Sequence, residues 1–432
     1  MLMDRSDSTL SGPRAAVRPP AGGARASRLR AALGGAVLAL ASVGVVLAFS
    51  EMGLRYYFYG EFGQPRFGVD FFMPDEKRGW ALKPSTLGKH QDLDFNIPVT
   101  INSKGLREPE RSYERVPDKF RIVLVSDSAT FASGVTIEQS PPALLEQALG
   151  VERTEVVNLS VPAYNNVQEY LLLIEEGLKY QPDLVLLGFA PSNDIQGNYQ
   201  PLAEMYKKNL RRPYARLDPA GQGIVIDFQH ARQAAARMEE AQANVGGPAD
   251  FVRNTVVFHL IKTAVRRLKT DARDDPNVFI GWPFLDGFAP EYGTRGLTEA
   301  AYARLWQDGW AVTAALIKSM RAETEKAGAA FAVYIAPPKI QGDRSYRERV
   351  QEAFPGLRFD MTRINREIAA FGAANGIPVI DVLPALEAAD RDGPPGRLYY
   401  DIEDEHLRPE GHAIVVAELA RRLRDLGLVA AR

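Results

Sequence analysis

Cysteine is absent from this chain. That excludes disulfide staples, a thiolate nucleophile and sulfur-ligated metal sites, and it leaves the redox character of the compartment open. Histidine is scarce, the five being His90, His230, His259, His406 and His412. No cluster has metal-ligand spacing, and there is neither a glycine-rich phosphate loop nor a dinucleotide fingerprint, so no metal and no cofactor are expected. A basic excess is missing too: 52 Lys and Arg against 54 Asp and Glu leave a formal charge of -2, which gives no reason to expect nucleic acid as a partner. Internal repeats and extended charge runs are also lacking.

What is present starts at the N-terminus. Residues 1–30 are rich in Arg, Ser, Pro, Gly and Ala with almost no large apolar side chains, the composition of a disordered tail. Arg5, Arg14, Arg18, Arg25, Arg28 and Arg30 outnumber Asp4 and Asp7. Residues 31–50 then carry no charge. About twenty residues at a rise of about 1.5 Å cross a hydrocarbon core of about 30 Å, so a transmembrane helix is expected here. The preceding arginines argue for a cytoplasmic N-terminus, with everything after Glu51 outside the membrane. Ala48-Phe49-Ser50 has the small residues of a cleavage site, yet the apolar run exceeds the about 7–15 residues of a signal peptide. The aromatic stretch Leu54–Tyr59 suits an interface and favours retention of the span.

Residues 51–118 lack helical periodicity and read as a small β-rich collar, with Asp94–Ile101 extended and Asn102–Gly105 as a turn. From Arg121 the pattern becomes βαβα. Strands are expected at Ile122–Val125, Glu155–Leu159, Asp183–Phe189, Phe331–Ala336 and Ile377–Val382. Helices are expected at Pro141–Leu149, Val167–Tyr180, Thr298–Ala327, Thr362–Asn375 and from Pro409 to about Leu426. This alternation implies a parallel sheet covered on both faces. Residues 195–296 interrupt it with a hairpin arm around 222–227 and helices around 231–243 and 251–268; an insertion at a sheet edge is placed to act as a lid or specificity element, or merely as packing.

Three separated stretches carry chemistry. Ile122–Val125 runs into Ser126-Asp127-Ser128, the pattern of a buried strand delivering a side chain to the carboxyl edge where α/β proteins bind ligands. Asn158-Leu159-Ser160-Val161-Pro162-Ala163-Tyr164 and Ser192-Asn193-Asp194 follow the next two strands. Ala163 N–H and the Asn193 amide are thus candidate donors to an oxyanion, although Asn193-Asp194 also suits an Asx turn. Finally, Asp404-Glu405-His406 precedes the last helix. A serine needs a base, and an imidazole needs an acid to fix its tautomer, which nominates Ser128, His406 and Asp404. His412 falls inside that helix and reads as structural.

These blocks, in this order, resemble the SGNH/GDSL serine esterases and acyltransferases over about Arg121–Leu426. The N-terminal span and Ile101–Arg107 are similar to membrane-tethered bacterial members. The resemblance implies a flavodoxin-like three-layer α/β/α sandwich with a mainly parallel five-stranded sheet over 119–432. It implies Ser128 as nucleophile, with its own N–H, that of Ala163 and Asn193 as oxyanion donors, and His406 as base oriented by Asp404. The expected substrate is an ester, or an acylated glycan or lipid, met in the periplasm by a single-pass inner-membrane protein. The expected reaction is ester hydrolysis; O-acyl transfer to an envelope or secreted polysaccharide, or a non-catalytic binding role, are the alternatives. Two departures bear on competence: Ser126 and Ala163 stand where family members carry glycine, so at Ser126 any conformation requiring glycine would be strained or absent, and at Ala163 the N–H survives but φ > 0 would be costly. A third is the acid, two residues before His406 rather than three, which leaves Glu403 as an alternative orienter.

Overall fold

The computed structural model describes residues 22–63, 68–69, 71–206, 210–220, 223–243, 247–269, 282–288, 297–402 and 404–430. The chain divides into two compact units, one ending at Leu54 and the other running Arg55–Arg432. Helix α1 (Gly22–Tyr59) runs across that boundary, beginning well before residue 31 and continuing past residue 50. Its Arg30–Tyr59 portion is long and apolar enough to cross a membrane. The aromatic Tyr56–Tyr59 stretch is therefore helical rather than the start of a collar, while residues 1–21 of the expected tail lie outside the described residues.

Five short strands open the second unit: β1 (Gly68–Val69), β2 (Phe72–Asp75), β3 (Gly79–Leu82), β4 (Thr86–Gln91) and β5 (Asn96–Ile101). They pair antiparallel as β1-β4-β5 and β2-β3. Asn102 closes the last strand by accepting the N–H groups of Lys104 and Leu106 on its Oδ1 at 3.0 and 2.9 Å, the Asx turn that its position suggested. The β-rich collar is not a separate body, since it belongs to the same compact unit as everything that follows.

The central sheet holds β6 (Phe120–Val125), β7 (Thr154–Asn158), β8 (Leu184–Phe189), β11 (Ala330–Ile335) and β12 (Val379–Asp381) in the order β12-β11-β8-β6-β7. Every pairing is parallel. Counted along the sheet this is the 2-1-3-4-5 order of flavodoxin-like folds, whose switch point lies between the first and third strands, here β6 and β8. The remaining pair, β9 (Tyr214–Leu217) and β10 (Ile224–Asp227), forms the antiparallel arm of the insertion.

Both faces of the sheet are buried because its side chains alternate between two apolar layers. Ile122 and Leu124 of β6, with Leu184 and Leu186 of β8, meet Leu145 of α2 (Pro141–Leu149) and Val415, Val416 and Leu419 of α6 (Pro409–Asp425). Val123, Val125, Val185 and Leu187 face the other layer. There they meet Leu172 and Leu173 of α3 (Asn166–Glu175), Ile317 and Met320 of α4 (Glu299–Lys326) and Ile364 and Ile368 of α5 (Arg363–Asn375). Tyr302, Leu305, Trp306 and Trp310 of α4 pack on the same layer.

Two expected helices are broken. The helix after β7 ends at Glu175, and Gly177–Tyr180 forms a 3₁₀ turn; a Cβ at Gly177 would lie 2.6 Å from Leu159 Cδ2, so the glycine lets the chain press onto the sheet. Likewise the 251–268 segment divides into Pro248–Arg253 and Val256–Lys269, with Thr255 Oγ1 accepting the Phe258 N–H at the break.

Candidate active site

Ser128 opens a one-turn helix, Ser128–Phe131, directly after β6. Its predecessor Asp127 caps that turn by accepting the Ala129 N–H at 3.0 Å. Burial raises the Asp127 carboxyl pKa, against the hydrogen bond from Ala129 and the attraction of His406. Ser128 itself is only half-buried. Below it, Ser126 is fully buried and donates from Oγ to Gly188 O at 3.0 Å. Ser126 is not among the residues with positive φ, so the expected strain is absent. A Cβ on Gly188 would lie 2.4 Å from Ser126 Oγ and 2.8 Å from Tyr334 Cε1. The glycine has in effect moved across to the neighbouring strand, and the serine fills the space it leaves. Tyr334 also hydrogen-bonds Thr130, tying the turn down from β11.

Ala163 does occupy the left-handed region, at φ 63°, where a side chain costs of order 1 kcal/mol relative to glycine. The turn is held from outside: Trp80 Nε1 donates to Pro162 O at 3.2 Å, and Tyr164 OH donates to Trp80 O at 2.6 Å. Ala163 is exposed, and its N–H donates to no group among the described residues. Asn193 follows β8 and stands at the start of the helix Asp194–Asn198, but its side chain does not cap that helix. Its Nδ2 instead donates to Tyr164 O at 2.7 Å and, more weakly, to Asp127 Oδ2 at 3.3 Å. The two nominated donor turns and the nucleophile turn are thus joined at the β6/β8 switch point.

His406 and Asp404 lie in the loop before α6. The Asp404 carboxylate meets His406 Nδ1 at 2.9 and 3.1 Å and also accepts the His406 backbone N–H at 2.7 Å. The spacing of two residues is what permits both bonds from one carboxylate. Glu403 lies outside the described residues. Burial works against the imidazolium, yet the Asp404 charge, with Asp127 and Glu405 behind it, holds the His406 pKa up to about 9. Tyr400 links this loop to the nucleophile turn: its N–H donates to His406 O at 3.0 Å and its hydroxyl to Gly134 O, just past that turn, at 2.7 Å. Among the described residues neither Ser128 Oγ nor His406 Nε2 makes a hydrogen bond, so the direct serine–imidazole bond is not formed here. Catalytic hydrogen bonds are often long without substrate.

How these loops are secured could not be read from the chain pattern. Arg107, buried, donates to Phe131 O, Ala132 O and Val135 O at 2.6, 2.8 and 2.6 Å, satisfying the carbonyl end of the Ser128 turn. Asp94 accepts the backbone N–H groups of Ile402 and Asp404 at 3.0 and 2.9 Å. With Trp80, the collar therefore holds each of the three loops once. His412 is buried with both ring nitrogens unpartnered among the described residues, and burial lowers its pKa to about 3. Among the described residues no three His, Asp or Glu side chains gather to hold a metal ion.

No family model matches the chain, and no curated protein matches it. Solved structures do. An acetylxylan esterase from Geobacillus stearothermophilus is 12% identical, with 74% of this chain and 100% of that one covered at a TM-score of 0.35. An aryl esterase from M. smegmatis is 11% identical, covering 71% and 99% at 0.33. A GDSL-like lipase from Bacteroides thetaiotaomicron is 12% identical, covering 72% and 91% at 0.31. Likenesses this faint carry no argument about chemistry, which rests on the site's own geometry.

Proposed function

We propose that the chain is a membrane-anchored serine hydrolase that cleaves carboxylic esters through an acyl-enzyme. The observation that carries this is the Asp404–His406 pair, bonded at Nδ1, in a loop that Tyr400 ties to Gly134 just after the Asp127-Ser128 turn. With Nδ1 committed to the carboxylate, Nε2 is the nitrogen left to take the Ser128 proton as Oγ attacks the ester carbonyl. The N–H groups of Ser128 and Ala163 meet the charge that builds on the carbonyl oxygen, joined by the Asn193 amide hydrogen that now makes only the 3.3 Å contact. His406 returns the proton to the leaving alcohol, and water releases the acid by the reverse sequence.

The absence of strain at Ser126 removes the feature that favoured a non-catalytic role. The helix Arg30–Tyr59 supports a single-pass anchor, and the arginines before it support a cytoplasmic N-terminus with the catalytic unit on the periplasmic side of a bacterial inner membrane. The test is hydrolysis of short aryl esters by the full chain in detergent, beside Ser128→Ala. Loss of about 10⁴-fold or more in kcat is expected for the variant. Equal rates in the two proteins would refute the assignment. A product shifted from free acid to a new ester on adding a sugar hydroxyl would instead mark transfer.

A further inference from the structure

Arg212, from the insertion between β8 and α4, has a guanidinium that makes no hydrogen bond or ion pair among the described residues. Its Nη1 is buried without a partner. The residue as a whole is half-buried, and a cation partly withdrawn from water with no bonded counter-ion is costly, so proteins seldom leave one without use. Its position is built. Gly79, at φ +86°, lets the Arg211 carbonyl come so close that a Cβ there would sit 2.2 Å from the oxygen. The next residue then lays its guanidinium carbon 5.8 Å from the Trp80 ring centroid. Trp80 is the side chain that holds Pro162 beside Ala163. On its other flank, Nη1 is 3.0 Å from where a Cβ on Gly197 would stand, in the helix that Asn193 begins. The cation thus lies between Trp80, which braces the Ala163 turn, and Gly197, four residues beyond Asn193.

We propose that Arg212 is an anion-binding residue of the ester site, selecting substrates that carry a carboxylate or phosphate next to the scissile ester. This rests on the ester-hydrolase reading above. The nearby acids Asp194 and Asp127 attract it without bonding it, and burial raises the pKa of both, that of Asp194 well above its ordinary value. Neither is hydrogen-bonded to the guanidinium. A substrate anion would supply the partner that the protein omits, and a guanidinium suits the planar, two-oxygen face of such a group. The same cation over an aromatic face keeps its orientation while the ligand is absent.

The test uses the full chain in detergent and two matched pairs of esters. 4-Nitrophenyl hemisuccinate against 4-nitrophenyl butyrate places the anion in the acyl part; 4-acetoxybenzoate against phenyl acetate places it in the leaving group. In Arg212→Gln the ratio of kcat/KM for anionic over neutral ester is expected to fall at least about tenfold in one pair, and less in Arg212→Lys. Ratios unchanged in both pairs overturn the proposal. A second measurement avoids turnover: binding of monomethyl succinate to Ser128→Ala, with and without Arg212→Gln, where at least about a tenfold loss is expected and no difference overturns it. That arm still decides if neither protein hydrolyses esters, in which case the hydrolase reading alone fails. Should Arg212→Gln not melt cooperatively, the binding to Ser128→Ala alone is followed from about 50 to about 500 mM salt, where weakening supports an ionic contact and constancy overturns it.

Discussion

Replacing Asp404 by Asn keeps the size of the side chain and removes its charge. In the native site one carboxylate serves two donors, the His406 Nδ1 at 2.9 Å and its backbone N–H at 2.7 Å. An amide offers a single acceptor and turns an NH₂ toward whatever remains. The imidazole is then driven to the tautomer with its proton on Nε2, the nitrogen that should receive the Ser128 proton. The expected loss in kcat is of order 10⁴-fold. A second consequence concerns pH. With Asp404 charged, the base becomes free only above about 9. Between pH 7 and 9 the native kcat/KM should therefore climb roughly tenfold per unit. Without that charge, burial acts against only the remaining pull of Asp127 and Glu405, and the acid limb should fall well below 9. Stability follows the same sign. A histidine raised on folding contributes stability below about pH 6.5 that is lost as pH rises through about 9, so the native melting temperature should fall across that window and the variant's should not. The assay is kcat/KM on an aryl ester from pH 6 to 10, with melting curves at each pH. A variant that keeps its limb near 9, or loses less than about tenfold in kcat, would refute the role of Asp404.

Other expectations follow from single contacts. Gly188→Ala should cost about 2 kcal/mol by melting, because the new methyl meets Ser126 Oγ at 2.4 Å, and adding Ser126→Gly should restore part of that loss; strictly additive losses would show that the two positions are uncoupled. Asp94→Ala removes the acceptor of the Ile402 and Asp404 N–H groups, and kcat should drop by roughly 10- to 100-fold with KM little changed; native kcat would show that the loop holds itself. His412→Leu removes a buried imidazole without partners and should stabilise the chain by about 1 kcal/mol. A histidine lowered on folding to about 3 loses stability as pH falls from about 6.5, so the same change should flatten the acid limb of the melting curve; an unaltered limb would place that sensitivity elsewhere.

Burial is what the sequence reported well. The unbroken apolar runs at Ile122–Val125 and Leu184–Phe189 could only be strands covered on both faces, and the polar residues ending them fell at the sheet's carboxyl edge, where the site lies. Partnership was illegible. Nothing in a chain pattern links Asp94 to Asp404, or Trp80 to Pro162, because those bonds depend on three-dimensional closure. What Ser126 packs against was hidden for the same reason, since Gly188 is on β8. For Asn193 the local rule favoured an Asx cap; the observed bond to Tyr164 O shows a tertiary partner taking the amide from its own helix. The helices Arg344–Ala353 and Leu383–Asp392 were missed because each is short, the first burying no residue fully and the second only Leu383, Leu386 and Asp390.

The grip of the collar on the catalytic loops sets where this protein can be cut. A fragment starting at residue 119 would keep every nominated catalytic side chain and the whole parallel sheet. It would forfeit Trp80, Asp94 and Arg107 together, and with them one anchor for each loop. Such a piece would be an intact scaffold carrying a slack active centre, so trimming experiments aimed at a minimal enzyme must retain the residues upstream of the sheet.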